Sequence, residues 1–372
     1  MKVLAFPRDD ATPYQRLLYG EMRGLGVQVR YAGRLTRSHT LNLLLLPVEL
    51  AAGRVATVRF VHLHWVFTFA FPGSRRFRIM RRLSQAWFVI CLRTIRILGM
   101  RLIWTAHNVL PHEPVFADDV AARRTLVAFS DLVITHSRSA LDELAALGAP
   151  PRAHAIIAHG PLLPGTPYVS LRVPGSGEGP RQLLFFGRVN TYKGVEDLLE
   201  AFMTVQADNG MHLTVAGECT DPALRHRLEE RARACGDQLA LRLAHVPDEE
   251  VTQLLAAADG VVLPFRRVTT SGSAILALSH SRPLVVPDLA AFDDLPDQAV
   301  IRYDGTVPGL AKAMAQVANA DGATLASMSA AAGSYAAATS WGHIAVHTTS
   351  EMTALLGGEQ QGEPLNRVLA AP

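Results

Sequence analysis

Apolar residues in this chain come in short solid blocks rather than in strict alternation. Residues 2–6 form the first block, which reads as a buried strand. A polar loop with Asp9, Asp10 and Thr12 follows, then a helix with Pro13 in its first turn. Gly24 and Gly26 close that helix, and 27–31 resumes as a strand. Strand, helix and strand within about 30 residues make a βαβ unit, with a right-handed crossover expected. Strands at 58–64, 101–107, 132–137 and 153–159, with helical stretches between, extend this pattern into one doubly wound domain covering residues 1–165.

Residues 164–180 are dense in Pro and Gly, so 166–180 reads as a linker. A second alternation then begins. It predicts strands at 183–186, 212–216, 241–245, 261–265, 284–287 and 300–303. Helices are predicted at 193–205, 222–235, 248–257, 271–280, 307–317 and 324–339, and a last one at 341–356. The expected fold class is α/β, with two Rossmann-like doubly wound domains, 1–165 and 181–340, facing across a cleft.

At 372 residues the chain is long enough for two domains, and 49% hydrophobic with 19% charged residues describes large cores. Apolar stretches such as 41–47 and 60–71 fall short of the ~18 residues that a spanning helix needs. The opening block is too short for a signal peptide. Cys91, Cys219 and Cys235 form neither a disulfide framework nor a metal motif, which points to a reducing compartment. A cytoplasmic location is therefore expected.

The net charge of +3 is small but unevenly spread. Residues 51–112 contain no Asp or Glu and carry ten arginines. If 74–98 is one helix, Arg75, Arg78, Arg82, Arg93 and Arg96 share one stripe, opposite Phe77, Met80, Trp87, Phe88, Cys91, Ile95 and Leu98. An acid-free basic stripe over an apolar face suits anionic lipid headgroups or a lipid-linked pyrophosphate at the inner face of a membrane. A crossover helix with a solvated basic face accounts for it equally well. Nucleic acid is not expected, because no aromatic-interleaved basic loop or nucleic-acid fold signature accompanies the charge.

The chemistry concentrates at strand ends. The block 183–186 is followed by Gly187, Arg188 and then Lys193-Gly194 at the start of a helix. Two cations beside a helix N-terminus suit a diphosphate, since the free N–H groups and the helix dipole already favour negative charge. A second cradle is Thr269-Thr270-Ser271-Gly272-Ser273, where ordinary capping needs only one of the four hydroxyls. Several histidines follow strands in the first half: His62, His64, His107, His136 and His159. A polyhydroxylated substrate could hydrogen-bond there, with His107 and Asn108 on the tightest turn. No histidine, cysteine or carboxylate spacing suggests a metal, and no cofactor is expected.

Together these residues resemble the family-4 glycosyltransferases, the "glycosyl transferases group 1" enzymes of the GT-B fold. The resemblance is carried by Phe186-Gly187-Arg188, Tyr192-Lys193-Gly194-Val195 and Leu198-Leu199-Glu200-Ala201-Phe202, then by Val215-Ala216-Gly217, Asp259 with Val262-Leu263-Pro264, and Arg282-Pro283. In the first half, His62-Leu63-His64-Trp65 and Thr105 to Glu113 look like a bacterial polysaccharide-assembly branch. Trp341 and its helix stand where the family's last helix packs back on the first domain.

The resemblance implies a hexosyltransferase moving a sugar from a UDP- or GDP-sugar to a saccharide acceptor, here a lipid-linked one, with retention of configuration. A soluble natural-product acceptor is the alternative. A sugar-nucleotide isomerase or a silent binding subunit is the alternative of another class. It further implies that Arg188 and Lys193, with Gly187, hold the donor diphosphate and that His107 acts beside the reacting sugar. On the reading of the residues themselves, Thr270, Ser271, Gly272 and Ser273 add donor contacts, and His64, His107 and Asn108 meet the acceptor with Asp9, Asp10 and Thr12, which stand in place of the family's glycine pair. The chain departs from the family at its paired glutamates, whose places fall on Val268 and Leu276.

Overall fold

A computed structural model describes residues 1–10, 12–111, 113–161, 179–268 and 271–357. Two units are resolved by their internal contacts: Met1–Ala158 together with the chain from Trp341, and His159–Ser340. Most of the stretch assigned as a linker, 166–178, lies outside the described residues, as do His112, Thr269 and Thr270.

The first unit runs β1 (Lys2–Phe6), α1 (Tyr14–Gly24), β2 (Gln28–Tyr31), α2 (His39–Val55), β3 (Phe60–Leu63) and α3 (Arg78–Ile97). It continues with β4 (Arg101–Ala106), α4 (Asp119–Phe129), β5 (Leu132–Thr135), α5 (Arg138–Ala146) and β6 (His154–Ile156). The second unit runs β7 (Arg181–Phe186), α6 (Val195–Asn209), β8 (Met211–Ala216), α7 (Pro222–Ala232), β9 (Leu239–Arg242) and α8 (Asp248–Ala257). Then come β10 (Gly260–Val262), α9 (Gly272–Ser279), β11 (Leu284–Pro287), β12 (Val300–Tyr303), α10 (Val307–Asn319) and α11 (Gly322–Ala338). Helix α12 (Trp341–Gly357) belongs to the first unit, where Trp341 meets the Tyr14 ring edge-on at 5.1 Å.

Each unit holds a six-stranded parallel sheet. The orders are β2-β1-β3-β4-β5-β6 and β12-β11-β10-β7-β8-β9. The fold class expected from the apolar blocks is the one observed, because strands buried on both faces carry apolar side chains at every position. Strand order reverses between β1 and β3 in one sheet and between β7 and β10 in the other. Those switch points open crevices at the carboxyl ends of the strands, where ligands of such sheets bind.

Element ends shift by a few residues from the sequence reading, and two of these shifts have a clear physical reason. Helix α3 starts at Arg78 rather than 74, because Gly73 has a positive φ of 83° and Phe77 is extended. Arg75 is thus off the helix and pairs with Glu113 at 2.9 Å, while Phe77 is exposed rather than on the buried face. Arg78, Arg82, Arg93 and Arg96 do share one exposed side. Strand β9 starts at Leu239, two residues earlier than its apolar block suggested. As an edge strand it alternates buried Leu239 with exposed Ala240 and Arg242, so the solid-block signal does not apply to it.

Candidate functional site

At the switch point of the second sheet, β7 ends against the loops that follow β8 and β10. Gly217, at the end of β8, has φ 153°, and a Cβ there would stand 1.9 Å from the Gly187 carbonyl oxygen. Gly194 has φ 68°, and a Cβ there would stand 1.9 Å from the Pro264 carbonyl oxygen. No other residue fits either place. The Gly187–Gly194 loop is therefore clamped by backbone on both sides. Arg266 adds a brace, with its N–H donating to Tyr192 O at 2.9 Å and its guanidinium donating twice to Asp197 at 2.8 Å.

Within this clamp Arg188 is exposed and Lys193 is half-buried. Lys193 Nζ lies 3.5 Å from the centre of the Phe265 ring. Burial lowers its pKa to about 8. Helix α9 brings its N-terminus to the same corner, and the Ser273 hydroxyl faces Phe186 O at 3.4 Å. Of the second cradle, Thr269 and Thr270 lie outside the described residues. Ser271 is buried and its Oγ accepts from the Ala274 N–H at 3.1 Å, so it serves as an ordinary cap. Gly272 and Ser273 remain at the helix start. The places of the family's glutamates are apolar: Leu276 is buried in the core and Val268 packs on it.

The first unit gathers its histidines along the carboxyl ends of β3, β4 and β5. Tyr19 Oη lies 2.9 Å from His62 Nδ1 and 2.6 Å from His64 Nε2. His64 Nδ1 meets His107 Nε2 at 3.0 Å, and His107 Nδ1 meets His136 Nε2 at 3.2 Å. The ends of this chain are the Thr105 hydroxyl, 2.8 Å from His62 Nε2, and Ile157 O, 2.9 Å from His136 Nδ1. A carbonyl only accepts, so His136 carries its proton on Nδ1. With neutral rings every later bond then has one direction: His107 donates to His136, His64 to His107, Tyr19 to His64, His62 to Tyr19 and Thr105 to His62. Burial supports neutrality by pushing His62 down to about 3 and His64 well below the usual histidine range.

This alters two expectations. His62 and His64 are almost wholly buried with both nitrogens of each engaged, so their nitrogens hold His107 in place, while His64 also lines the cavity beside it. Both nitrogens of His107 are engaged as well. Its ring lies flat on Trp65, with centres 4.5 Å apart, and meets the edge of Tyr14.

Beside His107 opens a cavity of about 290 Å³, walled by Trp65, Phe67, Val115 and Phe116, with Asn108 at its polar side. Asp9, Asp10 and Thr12 do not line it. The Thr12 hydroxyl donates to Asp9 at 2.8 Å, and Asp10 pairs with Arg8 at 2.6 Å and faces a separate hollow with Arg34.

A GDP-mannose:glycolipid 4-beta-D-mannosyltransferase of Xanthomonas campestris pv. campestris is 30% identical over 251 residues, 66% of this chain and 67% of that protein. Residues 180–320 match the family model described as glycosyl transferases group 1. The chain belongs to the group 1 glycosyltransferases.

A glycogen synthase of Mycobacterium tuberculosis is 29% identical over 255 residues, 66% of this glycosyltransferase and 59% of that protein. Sucrose-phosphate synthase from Thermosynechococcus elongatus superposes with a TM-score of 0.64 at 16% identity, over 96% of this chain and 99% of that one. Anabaena HepE, solved with UDP, superposes with a TM-score of 0.66 at 14% identity, over 95% and 99%. The fold is GT-B, and the enzyme is a hexosyltransferase that draws on a nucleotide sugar.

Sequence reading overlooked Tyr14, Tyr19, Arg123, Phe265 and Arg267. Arg267, 5.7 Å from the Tyr192 ring, adds a cation at the rim of the glycosyltransferase's clamp. Only Phe265 had a signal, as the residue closing the stretch that ends Leu263-Pro264.

Proposed function

We propose that the enzyme binds the diphosphate of a UDP- or GDP-hexose at the Gly187–Gly194 clamp and transfers the hexose to a lipid-linked saccharide. The observation that carries this reading is the convergence of Arg188, Lys193 and the N-terminus of α9 on one corner of the second sheet's switch point. Negative charge grows on the diphosphate as the glycosidic bond breaks. Fixed cations and free N–H groups aimed at that charge lower the barrier without reorganising. Two cations and a helix N-terminus supply this charge stabilisation in the proposed mechanism, which assigns no role to a metal. The acceptor is assigned to the cavity beside His107 and Asn108, in which His107 is a fixed wall.

Retention is the first stereochemical reading, as the family resemblance implies; inversion would need a protein base, and both nitrogens of His107 are already engaged, which leaves that part to a carboxylate. A second reading, inversion, is favoured by the β-linkage in the name of the Xanthomonas relative. The one-bond carbon–proton coupling at the product's anomeric carbon decides between them.

A peripheral location at an anionic membrane surface is supported by α2 and α3, joined where Trp87 donates to Leu43 O at 2.9 Å. Besides its arginines, α3 exposes Ile79, Leu83, Ile90 and Ile97, which fall within a sector of about 40° at ~100° per residue. Helix α2 exposes Leu41, Leu44, Val48 and Val55. Exposed apolar stripes beside arginines are the makings of an interfacial helix pair. No helix among the described residues is long and apolar enough to cross a membrane.

The test is a thermal-shift panel of UDP, GDP, ADP and TDP with their sugars, on wild type and Lys193→Ala. UDP or GDP is expected to stabilise only the wild type. Stabilisation by none of the four overturns the donor assignment.

A further inference from the structure

A buried cation stands at the cavity beside His107. Arg123, on α4, is 6% exposed, and its Nε and Nη1 are buried and hydrogen-bonded to nothing. Its guanidinium lies over the Trp104 ring at 4.7 Å. Asp119, one turn earlier, attracts it, as does Glu143, yet neither satisfies those two nitrogens. The Asp119 carboxylate is instead occupied by the Val115 and Phe116 N–H groups at 2.9–3.3 Å. The other carboxylate at the rim, Glu113, is paired with Arg75.

Leaving donors of a buried cation unmade is costly, and more so than for a neutral group. The Trp104 ring takes the face of the guanidinium and leaves its in-plane N–H donors unmade. A guanidinium presents a planar fork that matches a carboxylate or phosphate, and such charge-assisted pairs are about twice as strong as neutral hydrogen bonds. The cavity that Arg123 lines has apolar walls at Trp65, Val66, Phe67, Val115 and Phe116, carries the carboxylates of Asp119 and Glu113, both already partnered, and at about 290 Å³ sits at the small end of ligand pockets.

We propose that Arg123 is an anion-recognising residue of the acceptor site, selecting an acceptor whose bound saccharide carries a carboxylate or a phosphate. The inference rests on reading the first unit as the acceptor side. A uronic acid and a glycosyl phosphate supply the same chemistry, and the test separates them.

The experiment follows the intrinsic tryptophan fluorescence of the full-length enzyme, since Trp65 walls the cavity and Trp104 lies beneath Arg123. It is titrated with octyl glucuronide, octyl glucosyl phosphate and uncharged octyl glucoside. Wild type is expected to bind at least one charged ligand tenfold or more tightly than the glucoside, and the preferred one identifies the source of the anion. Arg123→Gln should bring that ligand to the level of the glucoside while leaving glucoside and nucleotide binding unchanged. Arg123→Lys retains the charge without the fork and should keep only part of the preference, which also covers the case in which Arg123→Gln does not fold. Equal binding of charged and neutral ligands by wild type, or an unchanged preference in both variants, overturns the proposal. The donor assignment is judged separately, by nucleotide binding in the same samples.

Discussion

Lys193 is charged where water is partly excluded, and two consequences oppose each other. Poor solvation strengthens its attraction for a diphosphate, yet it also lowers its own pKa to about 8. Only the protonated amine attracts the donor, so kcat/KM for the donor should fall about tenfold per pH unit above pH 8. Lys193→Arg should move that fall to higher pH, because a guanidinium stays charged. Lys193→Ala should lower kcat/KM by roughly a hundredfold or more, the usual loss when one charge-stabilising donor is removed from a transition state. The melting temperature should be almost unchanged. The spacing of Arg188 and Lys193 is local, so sequence alone could show them. Phe265, the ring beneath Lys193, comes from another strand end and becomes its neighbour only because β10 pairs with β7. Arg123 was illegible for the same reason, since its importance lies in what surrounds it.

At the scale of elements, the histidine-bearing strand ends predict a specific weakness to acid. His62 and His64 have folded pKa values below the unfolded value of about 6.5. The stability they contribute is complete above that value and is lost progressively as pH falls towards the folded value, about 3 for His62. Each group then removes about 1.4 kcal/mol of stability per pH unit below pH 6.5. Urea unfolding at pH 7.5 and 5.5 measures this, and His62→Gln should flatten the pH dependence by one proton's worth. The helix pair α2 and α3 makes a separate prediction. Ile79→Asp with Leu83→Asp should reduce pelleting with anionic liposomes while leaving donor binding intact. The basic stripe was visible in the sequence. The exposed apolar stripe beside it was not, because an apolar residue on a helix is read as buried until the helix is seen on its sheet.

For the whole molecule, apolar blocks were enough to read two doubly wound α/β halves with six strands each, since strands buried on both faces stand out as solid apolar runs, while the strand order had to come from the fold. They could not show how side chains from different strands meet, which is where the site lies. If the donor clamp is right, nucleotide binding must be felt by global stability. A saturating UDP or GDP at a hundred times its Kd should raise the unfolding free energy of the unit that binds it by about 2.7 kcal/mol. Lys193→Ala should lose most of that gain at the same concentration, and urea titrations with and without nucleotide check it.

The proton placement on four imidazoles ends on a main-chain oxygen, and inheritance cannot easily change that atom. Every amino acid supplies a carbonyl at position 157, so a survey of all single substitutions should find that site indifferent to which apolar residue fills the core. Substitutions at positions 19, 62, 64, 107 and 136 should each lower stability at neutral pH, whichever of them is altered. Replacing one ring reverses or interrupts the direction of the rest, so repair would require two changes at once. A lineage that acquired this arrangement would find it hard to leave by single steps.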